Sequence, residues 1–578
     1  MPGLSENALI ILRERYLRRD AAGQETEDAG GMFRRVARAV AQPARSFGED
    51  EDYWAERFLM RLERLQFLPN SPTLMNAGLS GGQLAACFVL PVRDDLDSIF
   101  GAMALAARIQ QTGGGTGFSF SALRPRGDTV STTGGASSGP LSFIELFDHA
   151  TAVIRAGGRR RGANMAVLRA DHPDIEEFIT AKLKPGRLEN FNLSIGMTDA
   201  FFDALAGNDR FVLKNPRTGQ PVSTASAKRL FTTAVEAAWA SGDPGLVFLD
   251  EINRLNPLPD LGLIEATNPC GEQPLLPYES CTLGSLNLAA FVSANSLDWA
   301  ELEAAIGDAV VFLDNVIEAN SYPASEIVAA TLLTRKIGLG VMGLADMLAE
   351  LGIAYDSPAA IELGGQVAAF MTEKARAASI ELGRRRGSFP AFSRSLWPGR
   401  GVSALRNATV TCVAPTGTVS MIAGCSSGIE PFFALATARR VLDGRILYES
   451  NRVLDRTLSS LDPSSRERVD TLIRETGSIR TAAELDEALK RRFPIALEIA
   501  PAHHLRMQAA FQKHVDAAVA KTVNLPADCR PDSVREAFLL AHELGLKGVT
   551  VYRYGSKGGQ ALSLVHDERV PDCRECAV

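Results

Sequence analysis

The chain has 578 residues and a formal net charge of −7, with 46% hydrophobic and 22% charged residues. This length allows a large core and more than one ordinary domain, and the composition is that of a soluble globular protein. The charge gives no general basic field for nucleic acid, and no apolar stretch is long enough to span a membrane. The first residues lack a basic segment followed by an apolar run, so we expect no secretory signal and a cytoplasmic location.

Residues 1–68 predict a small helical region, because apolar residues recur at helical spacing in 8–12 and in 32–37. From Asn70 onward, short runs of β-forming residues alternate with longer helical segments. This alternation is typical of an α/β fold with many crossovers. The clearest predicted strands are residues 87–90, 245–249, 409–413 and 548–552.

Three consecutive glycines at 113–115 lie within the glycine-rich run 112–120. Such a run lets backbone N–H groups approach an anion or a ribose closely. It is not a Walker A motif, because no Gly-Lys-Ser/Thr ends it, and its spacing does not fit a Rossmann fingerprint. The local pattern favours a tight loop, with a ligand site as the alternative.

Two segments of flexible composition follow, at 128–139 and 155–163. The first is small and polar, and the second is basic, with three arginines at 159–161. Such composition usually indicates solvated loops. The alternative is that both segments order around a nucleotide, with arginines on its phosphates.

The most informative stretch is Asn-Pro-Cys-Gly-Glu at 268–272. It places the Cys270 thiol two residues from Asn268 and two from Glu272, on a loop that proline and glycine constrain. A nearby carboxylate raises a thiol pKa, so the motif suits a neutral thiol or a sulfur radical better than a thiolate nucleophile. In an isolated motif a buried structural cysteine would be the simpler interpretation, but a second cysteine, Cys281, follows eleven residues later.

A further loop at 414–420 follows a predicted strand and precedes a helical run. Its backbone amides and three hydroxyl groups at a helix N-terminus would make a phosphate cradle. A helix start capped by serine or threonine explains the same residues equally well.

The last part of the chain predicts peripheral features. Residues 463–492 are charged and poor in glycine, and we expect a helical insertion there. His503 and His504 predict a pair on a helix surface, and none of the seven histidines belongs to a metal-binding pattern, so no metal site is expected. The segment 556–578 predicts a mobile tail that carries Cys573-Arg574-Glu575-Cys576. Only one histidine lies nearby, so a swinging redox dithiol fits better than a zinc site.

These motifs together resemble the catalytic subunit of ribonucleotide reductase, most closely the adenosylcobalamin-dependent class II enzymes. The resemblance covers nearly the whole chain. It is carried by residues 70–78 (NSPTLMNAG), 113–115 (GGG), 160–165 (RRGANM), 268–272 (NPCGE), 281–288 (CTLGSLNL), 338–346 (GLGVMGLAD), 415–420 (PTGTVS) and 428–431 (GIEP). So many ordered matches make the resemblance specific.

The resemblance implies a ten-stranded α/β barrel over residues 69–555, with a central finger loop. Cys270 at the tip of the finger would become a transient thiyl radical and take the 3′ hydrogen of the ribose. Glu272 would be the base for the 3′-hydroxyl, and Asn268 would hold the ribose hydroxyls. Cys87 and Cys281 would supply two reducing equivalents and become a disulfide as the 2′-hydroxyl leaves as water.

The resemblance also implies a cofactor, adenosylcobalamin, and several binding sites. The substrate would be held by Ser71, Ala86, Gly115, Pro415, Thr416, Gly417, Thr418, Val419 and Ser420. Many relatives have a serine where this chain has Ala86, so one hydroxyl contact is missing. A deoxynucleotide or ATP effector would bind Asp94, Arg124, Arg160, Arg161 and the segments 128–139 and 155–163, across a homodimer interface. Cys573 and Cys576 would reduce the internal disulfide and pass the oxidation to thioredoxin or glutaredoxin.

Two other hypotheses compete with a class II enzyme. In class I large subunits, adjacent C-terminal tyrosines transfer a radical from a partner subunit, but here Arg553 separates Tyr552 from Tyr554. A non-catalytic nucleotide-binding regulator would not need the three cysteines of the site. We therefore expect an enzyme that reduces ribonucleotides, with diphosphates as the expected substrates, and supplies DNA precursors.

Overall fold

A computed structural model describes residues 3–130, 134–156, 160–440 and 446–556. The N-terminal region is helical, as the apolar spacing predicts, with α1 (Glu6–Arg15), α2 (Ala29–Ala41) and α3 (Glu51–Glu63). Each of these helices begins after a side chain, Ser5, Asp28 or Asp50, that accepts a hydrogen bond from a first-turn backbone N–H. The apolar face of α2 is buried in a large core cluster that it shares with the barrel.

Among the described residues, ten strands form one sheet. They are β1 (Phe67–Pro69), β2 (Cys87–Pro91), β3 (Gly115–Ser119), β4 (Asn164–Arg169), β5 (Phe191–Met197), β6 (Gly245–Phe248), β7 (Ser280–Asn287), β8 (Ile337–Met342), β9 (Thr522–Leu525) and β10 (Gly548–Arg553). Strands β2 to β6 are parallel neighbours, as are β7 with β8 and β9 with β10. The two parallel halves meet antiparallel where β7 pairs β2 and where β10 pairs β6.

The predicted strand at 409–413 is extended but is not a regular strand. It joins β8 through a parallel bridge between Leu339 and Thr411, and it joins the segment before β9 through a bridge between Val413 and Val519. The Asp516 carboxylate accepts the Val410 N–H at 2.8 Å, which interrupts the ladder of backbone bonds. These bridges close the sheet, and the α/β barrel that the resemblance implies is confirmed.

Helices cover the outside of the barrel. They are α4 (Ser71–Asn76), α5 (Leu96–Gln111), α6 (Pro140–Val153), α7 (Ile175–Thr180), α8 (Asp199–Ala206), α9 (Ala227–Ser241), α10 (Leu249–Arg254), α11 (Trp299–Ala319), α12 (Ser325–Thr334), α13 (Leu344–Glu350), α14 (Pro358–Arg386), α15 (Gly417–Ala423), α16 (Arg452–Leu458), α17 (Pro463–Thr476), α18 (Glu487–Arg492), α19 (Pro501–Gln512) and α20 (Pro531–Glu543). Helices α17 and α18 occupy the charged stretch 463–492, and Val469 and Ile473 of α17 are buried in the core.

Short two-stranded ribbons project from the connections. They are Thr129–Val130 with Gly135–Ala136, Arg155–Ala156 with Arg160–Arg161, Arg210–Lys214 with Pro221–Ser226, Ala266–Thr267 with Pro274–Leu275, Val292–Ser293 with Ser296–Leu297, and Ala436–Arg440 with Ile446–Ser450. The ribbon at 266–275 points into the barrel, because Ala266 and Leu275 belong to the interior cluster that also contains Cys87, Val167 and Cys281.

Candidate active site

The finger is a tight hairpin that holds the predicted motif at its tip. Its strands, Ala266–Thr267 and Pro274–Leu275, pair antiparallel. Asn268 closes the tip: its N–H donates to the Gln273 carbonyl at 3.1 Å, and its Oδ1 accepts the Gln273 N–H at 2.9 Å. Gly271 has a φ of +83°, a conformation that L side chains rarely adopt. The sequence therefore folds locally into a loop that places Asn268, Cys270 and Glu272 together.

Glycines in the barrel wall make room for this finger. A Cβ on Gly117 would lie 1.7 Å from the Thr267 carbonyl oxygen, and one on Gly115 would lie 2.8 Å from the Pro269 ring. Both distances are far below a normal contact, so only glycine fits. The glycine run at 113–115 thus leads into a strand that passes directly against the finger, and this close approach accounts for the glycines at 115 and 117.

Cys87 and Cys281 stand directly opposite each other on the antiparallel strands β2 and β7. Opposed residues of such strands have Cα atoms about 4.5–5.5 Å apart, which lies within the range of disulfides. The finger contacts Cys87: Asn268 Nδ2 donates to its Sγ at 3.2 Å, and its thiol points at Glu272 Oε1 across 3.9 Å. The three cysteines predicted to act together are therefore brought to one place.

Burial disfavours charge in the site. It raises the pKa of Glu272 to about 7, although a hydrogen bond from Asn268 opposes the shift. The pKa of the Cys87 thiol is raised well above its ordinary value, first by burial and then by the Glu272 carboxylate. Burial and the nearby Cys412 thiol raise the pKa of Cys281 in the same way. Neutral thiols are what the sequence motif predicts, and no described residue donates a hydrogen bond to Glu272 Oε2.

A chamber above the finger gathers most of the residues predicted to bind substrate. Its wall includes Ser71, Ala86, Gly115, Pro415, Thr416, Gly417, Thr418 and Val419, together with Cys87, Asn268, Cys270 and Glu272. Ser420 is different, because it is buried behind this wall with its hydroxyl 3.0 Å from that of Ser427. Cys281 is also fully buried and lies behind Cys87 as seen from the chamber.

The loop at 414–420 does not end in the capped helix start that we considered. Thr416 precedes α15 in a left-handed conformation, with a φ of +56°, and its side chain makes no capping bond to the helix. Its hydroxyl instead accepts the Gly428 N–H at 2.7 Å. This bond ties the loop to residues 428–431, another segment that carries the family resemblance. The backbone of the loop remains at the chamber wall.

Two residues that are distant in sequence, and that sequence reasoning missed, contact residues of the site. Tyr16, from the N-terminal region, places its hydroxyl 2.8 Å from that of Ser71. Asn192 on β5 donates from Nδ2 to the Pro269 carbonyl at 3.0 Å, next to Cys270. Neither residue belongs to a local motif, so the sequence carried no signal for these roles.

A larger cleft, with a volume of about 430 Å³, also reaches Cys270. Its wall comes mainly from β4, β5, β6, β9 and β10, and it includes Asn192, Phe433, Asn524 and Tyr552. Pro269 and Cys270 border both the cleft and the substrate chamber. The thiol therefore stands between two spaces.

A buried polar group stiffens one side of the cleft. Lys521 donates to Glu430 Oε2 at 2.5 Å and to His504 Nδ1 at 3.0 Å. His504 is fully buried, so the predicted helix-surface pair is wrong for this residue. Its ring lies between Lys521 and the Ala496 carbonyl, which is 3.2 Å from Nε2. Burial, with the nearby lysine charge, holds the pKa of His504 well below its ordinary value.

Two of the residues predicted for the effector site lie together. Arg124 donates from Nε to Asp94 Oδ2 at 2.8 Å and from Nη1 to the Thr129 carbonyl at 3.1 Å. Arg160 and Arg161 form one strand of a short ribbon, and residues 131–133 and 157–159 lie outside the described residues. The predicted tail with Cys573 and Cys576 also lies outside them, since the description ends at Ser556.

A buried amide connects the helices beside this region to the barrel. Asn164 Oδ1 accepts hydrogen bonds from Gln110 Nε2 at 2.7 Å and from the Thr116 hydroxyl at 2.6 Å. Its Nδ2 donates to the Thr151 hydroxyl at 2.9 Å. Gln110 and Thr151 lie on α5 and α6, so Asn164 joins both helices to strands β3 and β4.

Within the described ranges, no helix is long and apolar enough to cross a membrane. The same ranges contain no group of three or more His, Cys, Asp or Glu side chains that is arranged to hold a metal ion.

Comparison with known proteins adds the following findings. The family model described as the ribonucleotide reductase barrel domain matches residues 85–402 and 400–552, and the model of the all-alpha domain matches 3–82. A vitamin B12-dependent ribonucleoside-diphosphate reductase of Mycobacterium tuberculosis is 52% identical over 562 residues, which are 97% of this chain and 81% of the relative. One from Thermoplasma acidophilum is 46% identical over 565 residues, 96% of this chain and 73% of the relative. Among solved structures, the Actinobacillus ureae class Id ribonucleotide reductase alpha subunit superposes with a TM-score of 0.78 at 24% identity, covering 96% of this chain and 97% of that one, which supports the fold alone.

Proposed function

The chain belongs to the ribonucleotide reductase family, in its vitamin B12-dependent branch, and we propose how its residues share the reaction. It is a ribonucleoside-diphosphate reductase, which replaces the 2′-hydroxyl of a ribonucleotide by hydrogen and so supplies DNA precursors. The observation that carries the assignment of residues is that the finger brings Asn268, Cys270 and Glu272 against the facing pair Cys87 and Cys281. The class I alternative is not favoured, since the relatives that match over almost the whole chain are B12-dependent enzymes.

The cofactor is adenosylcobalamin, and the larger cleft suits its nucleoside end. The cleft reaches Cys270 without passing through the substrate chamber, and Phe433, Asn524 and Tyr552 offer flat and hydrogen-bonding groups on its wall. When bound, adenosylcobalamin would supply a carbon radical by homolysis of its cobalt–carbon bond, and Cys270, at the junction of the two spaces, would be the residue that gives up its thiol hydrogen. The position of Cys270 between the two spaces is the feature that supports this assignment.

The side chains of this protein carry the remaining steps. The Cys270 sulfur takes the hydrogen from ribose C3′, and Glu272 accepts the proton of the 3′-hydroxyl. A base works best when its pKa lies near the working pH, and that of Glu272 is about 7. A thiol of the facing pair protonates the departing 2′-hydroxyl, which leaves as water. The other thiol gives its hydrogen to C2′ as Cys87 and Cys281 form a disulfide, which supplies the two electrons. Glu272 then returns the proton to the 3′ oxygen, and Cys270 returns its hydrogen to C3′.

Regulation and reductive recycling complete the proposal. A deoxynucleotide or ATP effector binds near Asp94 and Arg124, and the Asn164 contacts carry its influence from α5 and α6 to the barrel strands. A homodimer contact is proposed on α5, where Leu96 and Phe100 lie four residues apart on one helix face and are 63% and 46% exposed. The dithiol of Cys573 and Cys576 reduces the internal disulfide and is itself reduced by thioredoxin or glutaredoxin.

Anaerobic turnover with the purified chain tests the function directly. The assay contains adenosylcobalamin, a dithiol reductant and one ribonucleotide, with no second protein, and compares each diphosphate with its triphosphate. We expect deoxynucleotide product, with diphosphates preferred. Product that requires a second, metal-containing protein would overturn the assignment to the B12-dependent reaction.

A further inference from the structure

Pro269, which precedes Cys270, is held from two sides of the barrel. Its ring packs on Gly115 of β3, where a Cβ would come within 2.8 Å of the ring. Its carbonyl accepts a hydrogen bond from Asn192 Nδ2 on β5 at 3.0 Å. These two contacts come from strands that flank β4, so they fix both the position and the orientation of Pro269.

The carbonyl that Asn192 holds belongs to the peptide unit that contains the Cys270 nitrogen. Because a peptide unit is planar and rigid, fixing this oxygen also fixes the Cα atom of Cys270. On the other side of the cysteine, Gly271 makes a turn with a positive φ and its N–H donates to the Asn268 carbonyl at 3.1 Å. The internal bonds of the hairpin set the shape of the tip, whereas Asn192 connects the tip to the barrel wall.

We propose that Asn192 is a positioning residue, which places the Cys270 thiol between the cofactor cleft and the substrate chamber. The proposal rests on the function given above, in which Cys270 exchanges a hydrogen atom with groups on both sides. Asn192 borders the large cleft but not the chamber around the ribose-binding residues, so it acts through Cys270 and not on substrate. Hydrogen transfer requires the reacting atoms to be close and aligned, which makes its rate sensitive to small displacements.

The test compares Asn192→Asp and Asn192→Ala with a matched control, Asn524→Asp. Asn524 is another half-buried amide of the same cleft wall, on β9, and its variant introduces the same charge without touching the finger. Asn192→Asp keeps the size of the side chain but loses the donor, and Asn192→Ala removes the donor without adding charge. Asn192→Ser replaces either variant that fails to fold, as judged by melting temperature.

The first measurement is made on every variant, and the second on the Asn192 variants only, because Asn524 lines the cleft assigned to the cofactor. The first is the alkylation rate of Cys270 by iodoacetamide in the cofactor-free protein, followed by peptide mass spectrometry. We expect Cys270 to react faster in Asn192→Ala and no faster than wild type in Asn524→Asp, while buried Cys87 stays protected. In Asn192→Asp the added carboxylate raises the thiol pKa and opposes the acceleration, so Asn192→Ala is the deciding variant for this measurement. The second is steady-state kinetics with adenosylcobalamin, where we expect kcat to fall roughly 10- to 100-fold, the scale of an ångström-sized misplacement, with an unchanged KM for the ribonucleotide.

Several results would overturn the proposal. Wild-type alkylation of Cys270 in Asn192→Ala would show that the bond does not position the tip. Acceleration in Asn524→Asp equal to that in Asn192→Ala would assign the effect to general loosening of the cleft wall, because added negative charge alone slows thiol alkylation. A raised KM with unchanged kcat would assign Asn192 to substrate binding. The alkylation result stands even if the protein proves to have another activity, so failure of this inference and failure of the proposed function are distinguishable.

Discussion

Replacing Glu272 by glutamine should stabilise the protein while abolishing its activity. Glutamine keeps the shape of the side chain but cannot ionise. Burial raises the pKa of Glu272 from 4.5 to about 7, so the folded protein resists the charge that the base must carry. At about 1.4 kcal/mol for each unit of pKa, this displacement corresponds to roughly 3 kcal/mol of unfolding free energy above neutral pH.

The direction of the stability difference and its pH range follow from the ionisation of residue 272 in the folded and in the unfolded wild-type chain. Below pH 4.5 the carboxyl is protonated in both the folded and unfolded chains, and the variant gains nothing. As the pH rises from 4.5 to about 7, the unfolded chain loses its proton first, so the wild type loses stability relative to Glu272→Gln. Above this range the difference is complete and no longer changes with pH.

Thermal melting of the reduced, cofactor-free proteins at pH 5 and pH 8 measures this difference. With an unfolding entropy of about 2 cal/mol/K per residue, 3 kcal/mol raises the melting temperature of this chain by roughly 2–3 °C at pH 8. Little difference is expected at pH 5. Glu279→Gln is the control: Glu279 is buried and bound to Lys336 Nζ at 2.7 Å, so its loss leaves an unpaired buried ammonium and lowers the melting temperature at both pH values. A Glu272→Gln protein that is no more stable than wild type at pH 8, or equally stabilised at both pH values, would refute the reasoning.

Further predictions concern the thiols and the effector. Cys270→Ser should fold normally and form no deoxynucleotide, because an O–H bond is too strong for the hydrogen relay; substantial product from the purified variant would contradict the radical role. Peptide mapping after one turnover without external reductant should find a disulfide between Cys87 and Cys281, and free thiols there after product formation in a chain without the tail would exclude it. Removing the residues after Ser556 should preserve one turnover but prevent cycling with thioredoxin. Full-rate cycling of the truncated protein with thioredoxin would exclude a shuttle role for the tail. Thr151→Val removes one contact of the Asn164 amide and should reduce the effect of effector on substrate choice, typically a 5- to 150-fold coupling, in paired kcat/KM measurements; unchanged coupling would exclude this route.

The grouping of the finger residues could be predicted from sequence because it is local. Asn268, Cys270 and Glu272 lie within five consecutive residues, and a hairpin of that length necessarily groups them. That Cys87 and Cys281 act as a pair was expected from the resemblance alone, since nothing in the intervening chain encodes which strands become neighbours, and their opposed register is a finding of the structure. The ten-stranded barrel depends on the same long-range pairing.

What sequence reasoning missed arises from contacts between distant segments. Asn192 and Pro269 are 77 positions apart, and Tyr16 and Ser71 are 55 apart, so no window of sequence contains both partners. His504 resembled a surface histidine because helical spacing does not reveal which face meets a buried lysine. The strand predicted at 409–413 was interrupted by a side chain, Asp516, whose carboxylate replaces a backbone partner.

The finger lies in the connection between β6 and β7, which is where the chain passes from one parallel half of the barrel to the other. During synthesis Cys270 therefore emerges after the first half of its enclosure and before the second. Cys87 and Cys281 can meet only when the late strand β7 pairs with the early strand β2. Such distant pairing forms slowly, and until it forms an apolar hairpin and a hydrogen-donating thiol are exposed to the surroundings. The pairing that closes this side of the barrel therefore also assembles the reducing pair. A chain without this pairing lacks both the enclosed site and the facing cysteines that the radical chemistry requires.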